Sequence, residues 1–152
     1  VLLALDAIVK IVGKDKSREM SLDDFFLGPG KVALESDEII SEILIPYQSG
    51  IKGIYKKLGV RNAMNIAIAS VAVIIKNGGE KKIAFGAVAP RPIRAYEVEK
   101  ILNQNQRPLW EEVKTVIFNS VQPISDVRAS ADYRKEMATN LTYMCLAELG
   151  VL

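Results

Sequence analysis

Apolar and polar positions alternate in three stretches and recur at helical spacing in three others. Ala7–Val12 is rich in Ile and Val and alternates loosely, which predicts a strand. Ile40–Ile45, stopped by Pro46, predicts a second. Lys52–Arg61 predicts a third, with Ile54, Lys56, Leu58 and Val60 on one face and Tyr55, Lys57, Gly59 and Arg61 on the other, because successive side chains point oppositely. Asn65–Ile75 is nearly all apolar, as in a central strand covered on both faces. Asn77-Gly78-Gly79 supplies residues that tolerate the positive φ of a tight hairpin, so Lys82–Ala89 is read as the returning partner. Its Ile83, Phe85, Ala87 and Ala89 share a face. The small Ala84 and Gly86, with Val88, take the other and predict a helix lying close.

Helical spacing then takes over. Tyr96, Val98, Ile101 and Leu102 mark one helix over Ala95–Leu102. Pro108, at a first helical position, leads Leu109, Trp110, Val113, Val116 and Ile117. Ser130 opens the last helix, striped by Tyr133, Met137, Leu141, Met144 and Cys145 and ended by Gly150. Toward the front, Leu2–Ala4 reads as a helix end. Ser21 followed by Asp24 is a capping signal for a short helix that Gly28-Pro29-Gly30 closes. Strands first and helices after, with hairpin-joined neighbours, give an α+β fold: a small antiparallel sheet covered by about three helices. The polar stretch Tyr47–Gly50 places a boundary between residues 1–47 and 48–152.

Composition narrows the function classes. The 152 residues are 49% hydrophobic and 25% charged, with a net charge of +2, so a nucleic-acid partner, which would ask for a basic excess, is not expected. No apolar run reaches membrane-spanning length, and no membrane insertion is expected. There is no histidine, and the single cysteine, Cys145, lies in an apolar run, where a buried thiol is expected. No metal-ligand cluster is expected, and a reducing, cytoplasmic setting fits. The chain opens on Val1 inside what reads as a structural element, so it is expected to be a piece of a longer protein.

Candidate chemistry is sparse. Lys52, Lys56, Lys57 and Arg61 put four cations into ten residues without an acid. A solvated strand edge explains them, and so does an anion or polar-ring contact on the Lys57–Arg61 face. On that face Gly59 would let a flat ligand approach the backbone, and an ammonium would stabilise negative charge. "GAVAPRPIRA" fits no nucleotide-binding glycine spacing and reads as a rigid connection, although Arg94 could still reach an acidic partner bidentately. "PISDVRASADYRKEM" reads as a helix entry: Ser130 caps it, and Arg128 and Arg134 are spaced to meet Asp126 or Asp132, or acids elsewhere. Nothing separates the two aspartates into an acid and a base.

Six segments occur here in the order "LLALDA", "FFLGPGKVAL", "DEIISEILIP", "YKKLGVRNAMNIAIASVAV", "FGAVAPRPIRAYEVEKIL" and "PISDVRASADYRKEM". Together they resemble the FAD-binding medium subunit of molybdenum hydroxylases, the xanthine dehydrogenase and aerobic carbon monoxide dehydrogenase family, over essentially the whole chain. The resemblance implies the tail of an α/β FAD-binding lobe followed by the complete C-terminal domain. It implies an oxidoreductase subunit that passes electrons from iron–sulfur clusters to FAD and an external acceptor. Molybdopterin would sit on a large partner subunit and two [2Fe–2S] clusters on a small one, with homo-oligomerisation an added expectation. By the same resemblance Ile40 and Lys57 match positions at the flavin, with Arg61 on the Lys57 face. The loop Leu58–Ile68 borders the ring, and its Asn62 and Asn65 stand where relatives often carry acids. The glycine-rich pyrophosphate loops have no counterpart, so the isolated chain is expected to be inactive and to bind FAD weakly or not at all. The competing reading is a non-catalytic subunit-interaction module of the same fold.

Overall fold

In the computed structural model, which describes residues 1–61, 64–105 and 108–152, two main β-sheets, a two-stranded ribbon and three long helices build the fold. The first sheet is centred on β1 (Ile8–Val12), whose Val9 and Ile11 are fully buried. It is flanked by β2 (Ser17–Ser21) and β5 (Ile39–Leu44), both antiparallel to it. β2 carries only one apolar residue, Met20, and so gives no hydrophobic signal in the sequence; its alternation is between exposed and half-buried side chains. Ser21 caps α1 (Leu22–Phe25), its hydroxyl accepting from the Asp24 amide at 3.1 Å. The helix ends at Phe25, before Gly28-Pro29-Gly30. That tripeptide instead turns a two-stranded ribbon of β3 (Phe26–Gly28) and β4 (Lys31–Val32), with Gly30 at φ 65°. β5 is an edge strand with Ile39, Ile40 and Ile43 all exposed.

The second sheet runs β6 (Lys52–Gly59), β7 (Ala67–Ile75), β8 (Lys81–Gly86) and β9 (Ile93–Arg94) in sequence order, all antiparallel. The β7–β8 turn is the expected one, with Gly78 and Gly79 at φ 99° and 87° and Glu80 accepting from the Lys76 amide at 2.8 Å. Helices α2 (Tyr96–Gln104), α3 (Trp110–Ser120) and α4 (Ala131–Glu148) cover one face. Their core unites Ala69, Val71, Val73, Ile83 and Phe85 of the sheet with Val98, Leu102, Val113, Ile117, Ala138, Cys145 and Leu146 of the helices.

The opposite face corrects one expectation. The small side chains Ala72 and Ala84, with Ile74, pack not on one of the three long helices but on Leu3, Ala4, Ala7, Val9 and Leu22 of the front lobe, the last at the start of the short α1. Val88 leaves that face and joins the helix-side core, because Ala87 adopts φ 63° and reverses the strand alternation. The α4 stripe is also rotated: Tyr133 and Met144 are exposed, whereas Arg134, Ala138, Thr142, Cys145 and Leu146 are buried. α3 starts at Trp110, two residues past the proline expected to lead it.

Candidate functional site

The lysines of β6 divide as the alternation requires. Lys56 points to the helix side and pairs with Glu148 at 2.6 Å. Lys57 is exposed on the other face, its Nζ donating to the Asn65 carbonyl at 3.3 Å. Arg61, just past the strand, donates from Nε and Nη2 to the Met64 carbonyl, the former at 2.9 Å. Met64 itself sits at φ 48°, so the loop is braced by a guanidinium around a left-handed residue. Neither Lys57 nor Arg61 has a carboxylate partner among the described residues. Ile40 lies on β5 of the other sheet, half-exposed, and makes no bond to either cation. The three candidate residues therefore sit on two lobes rather than in one cluster. Asn62 lies outside the described residues.

Gly59 does not offer open backbone. A Cβ there would fall 1.8 Å from Asn65 Oδ1, so the Asn65 side chain already fills that space. The accessible concavity lies further along the same face. Register pairs Lys57 with Ser70 and Tyr55 with Ala72, and these continue to Gly86 and Ala84 on β8. Across this small-residue floor, Leu3, Leu22 and Phe26 of the front lobe complete an open, mainly apolar cleft of about 320 Å³. Gly86 is needed there, since a Cβ would come within 2.6 Å of the Ser70 hydroxyl.

The arginines expected to find acids do so. Arg94 Nε and Nη2 donate to Glu99 Oε1 and Oε2, each at 2.8 Å, and Nη1 donates to Asp6 Oδ1 at 2.8 Å and to the Leu3 carbonyl at 3.0 Å. Asp6 also accepts from Lys76 Nζ at 2.8 Å and from Lys82 Nζ. Partial burial would raise the Asp6 pKa, but these three cations hold it well below the usual carboxylate range. Asp6 was not singled out in the sequence; its only local sign is that a non-glycine residue takes φ 56°. The "PISDVRAS" segment is a fastening. Arg134 is buried and donates to the carbonyls of Ile68 (2.7 Å) and Ala87 (3.1 Å) and to Asp126 Oδ1 (2.8 Å), tying α4 to β7 and to the residue just past β8. Asp126 pairs with Arg128 as well, at 2.9 Å, and Asp132 takes no part among the described contacts. Cys145 is fully buried, which pushes its thiol up to about 11. Among the described residues no cluster of carboxylates and thiols could hold a metal ion, and no helix is long and apolar enough to cross a membrane.

Residues 54–149 match the CO dehydrogenase flavoprotein C-terminal domain, and residues 1–48 match the FAD binding domain in molybdopterin dehydrogenase. The glyceraldehyde dehydrogenase medium chain of Sulfolobus acidocaldarius is 36% identical over 156 residues, covering 99% of this chain and 55% of that one. The xanthine dehydrogenase FAD-binding subunit of Escherichia coli O157:H7 is 30% identical over 154 residues, covering 96% and 53%. Carbon monoxide dehydrogenase from Hydrogenophaga pseudoflava superposes with a TM-score of 0.84 at 28% identity, over 95% of this chain and 53% of that one. The Cu,Mo-CO dehydrogenase gives 0.85 at 26%, over 96% and 53%. The chain thus spans about half the length of the curated relatives it matches.

Proposed function

Because the chain belongs to the CO dehydrogenase flavoprotein C-terminal domain family, we propose that it is the back half of the FAD-carrying medium subunit of a molybdenum hydroxylase. In this reading residues 1–47 are the end of the FAD-binding lobe and residues 48–152 the C-terminal domain. The parent enzyme is a cytoplasmic oxidoreductase, with molybdopterin on a large partner subunit and [2Fe–2S] clusters on a small one. The medium-chain and FAD-binding-subunit relatives support this assembly.

The observation that carries the flavin reading is Lys57: an exposed ammonium with no carboxylate partner among the described residues, on the face of β6 opposite the one from which Lys56 meets the helices. Such a cation favours a ring on which negative charge accumulates. Ile40 would give the ring an apolar contact, and Arg61 would hold the bordering loop in shape through the Met64 carbonyl while adding positive potential. These residues fit the ring end of FAD. Among the described residues nothing resembles a glycine-rich grip for its pyrophosphate. The chemistry that bound FAD supplies is the acceptance of electrons and their onward transfer.

Titration with FAD tests the reading. The chain alone should show no stoichiometric binding by flavin fluorescence. Fused behind the front half of the Sulfolobus medium chain it should bind FAD, and Lys57→Ala should weaken that binding by about tenfold, the equivalent of 1.4 kcal/mol. Tight binding by the chain alone overturns the half-subunit assignment, and unchanged binding in Lys57→Ala overturns the role of Lys57.

A further inference from the structure

Residues 1–47 and 48–152 share no strand pairing, and every hydrogen bond or ion pair between them among the described residues falls on Leu3, Asp6 or Asp23. Asp6 gathers Lys76, Lys82 and Arg94. Asp23 accepts from Arg91 Nη1 at 2.6 Å and from the Tyr96 hydroxyl at 2.9 Å. The two aspartates are linked, because the Tyr96 ring lies 5.1 Å from the Arg94 guanidinium that Asp6 binds. Glu99 fixes that guanidinium from behind and also accepts from the Ile83 amide at 2.7 Å, anchoring the series in β8. The apolar part of the junction sets Leu3, Ala4, Ala7, Val9 and Leu22 against Ala72, Ile74 and Ala84. Apolar burial is non-directional, whereas charge-assisted hydrogen bonds are directional.

We propose that Asp6 and Asp23 are positioning residues that set the angle between the lobe carrying Ile40 and the sheet carrying Lys57, and so shape the flavin site. The inference rests on the flavin reading above. Asp6 is held by three cations, Lys82 of β8, Arg94 of β9 and Lys76 of the turn between β7 and β8, despite its left-handed backbone. Asp23 closes the other end of the same line, so tilting about either point is blocked by its partner.

The test uses the FAD-loaded fusion described above, with Asp6→Asn, Asp23→Asn and Lys57→Ala compared by FAD affinity, flavin reduction potential and urea unfolding midpoint. Asp23 is the milder site, so its variant should keep the parent midpoint yet bind FAD about tenfold more weakly, within the usual range for coupling between separated sites. Asp6→Asn should do the same or more, and Asp6→Glu should recover part of the loss. If both asparagine variants bind FAD and hold its potential as the parent does while Lys57→Ala weakens it, the clamp is overturned and the flavin reading stands. If Lys57→Ala also changes nothing, the flavin reading fails and the positioning role fails with it. Should Asp6→Asn not fold, Asp23→Asn alone decides.

Discussion

At Arg94 and Glu99 a nearly buried ion pair is also a backbone anchor, since Glu99 bonds both the guanidinium and the Ile83 amide. Removing one member leaves the other charged and buried, so Glu99→Ala should lower the unfolding free energy by about 3–5 kcal/mol in urea titrations. That Arg94 could take a bidentate acid was legible in the sequence, though not which one; Glu99 lies one turn into the following helix. Asp6, its second partner, was not, because a contact 88 residues away leaves no local trace. Lys57 was legible for a similar reason: alternation alone separates it from Lys56. The Asn65 side chain that closes the space over Gly59 comes from a loop, where no periodicity applies. Cys145 carries a second expectation. With its thiol pushed up to about 11 by burial, it should resist a thiol-specific reagent at pH 8 and react stoichiometrically once the chain is unfolded.

Elements whose ends carry dedicated residues were the most readable. Ser130 accepts from the Tyr133 amide at 3.2 Å, and Gly150, at φ 72°, closes α4 with its own amide on Ala147 and the Val151 amide on Leu146. Ser130→Ala should cost about 1 kcal/mol and Gly150→Ala about 1–2 kcal/mol, both measurable as lowered thermal midpoints. β2 and the β3–β4 ribbon escaped the sequence reading. The first buries Arg18 and Met20 only partly, and the second is too short to show a period. β2 matters nonetheless, because Arg18 grips Glu38 through Nε (3.0 Å) and Nη2 (2.8 Å) while Glu38 also accepts from the Glu35 amide. Those bonds hold the Glu38 carboxyl at about 2.

Across the whole molecule, the β7–β8 layer is buried from both sides, and the nearly all-apolar run Asn65–Ile75, of which Ala67–Ile75 forms the strand, said as much. What the run could not say was which neighbour lay on which face, because burial is visible in a sequence while the identity of the covering surface is not. Asp6 at the lobe junction and Glu38 within the front lobe contribute to the acid response. Asp6 and Glu38 have folded pKa values below their unfolded ones, so their contribution is fully present above about pH 5 and is lost as pH falls, through about pH 2 for Glu38. Stability by circular dichroism should therefore be flat from pH 8 to 5 and decline below it; a decline that began above pH 6 would refute this assignment. The open edge of β5 bears on handling. Ile39, Ile40 and Ile43 face solvent beside unpaired backbone, with Ile45 just beyond, and only Ser41 and Glu42 interrupt them. Such an edge is a template for intermolecular cross-β growth, and a chain left concentrated at rest should seed fibrils from this strand before any other.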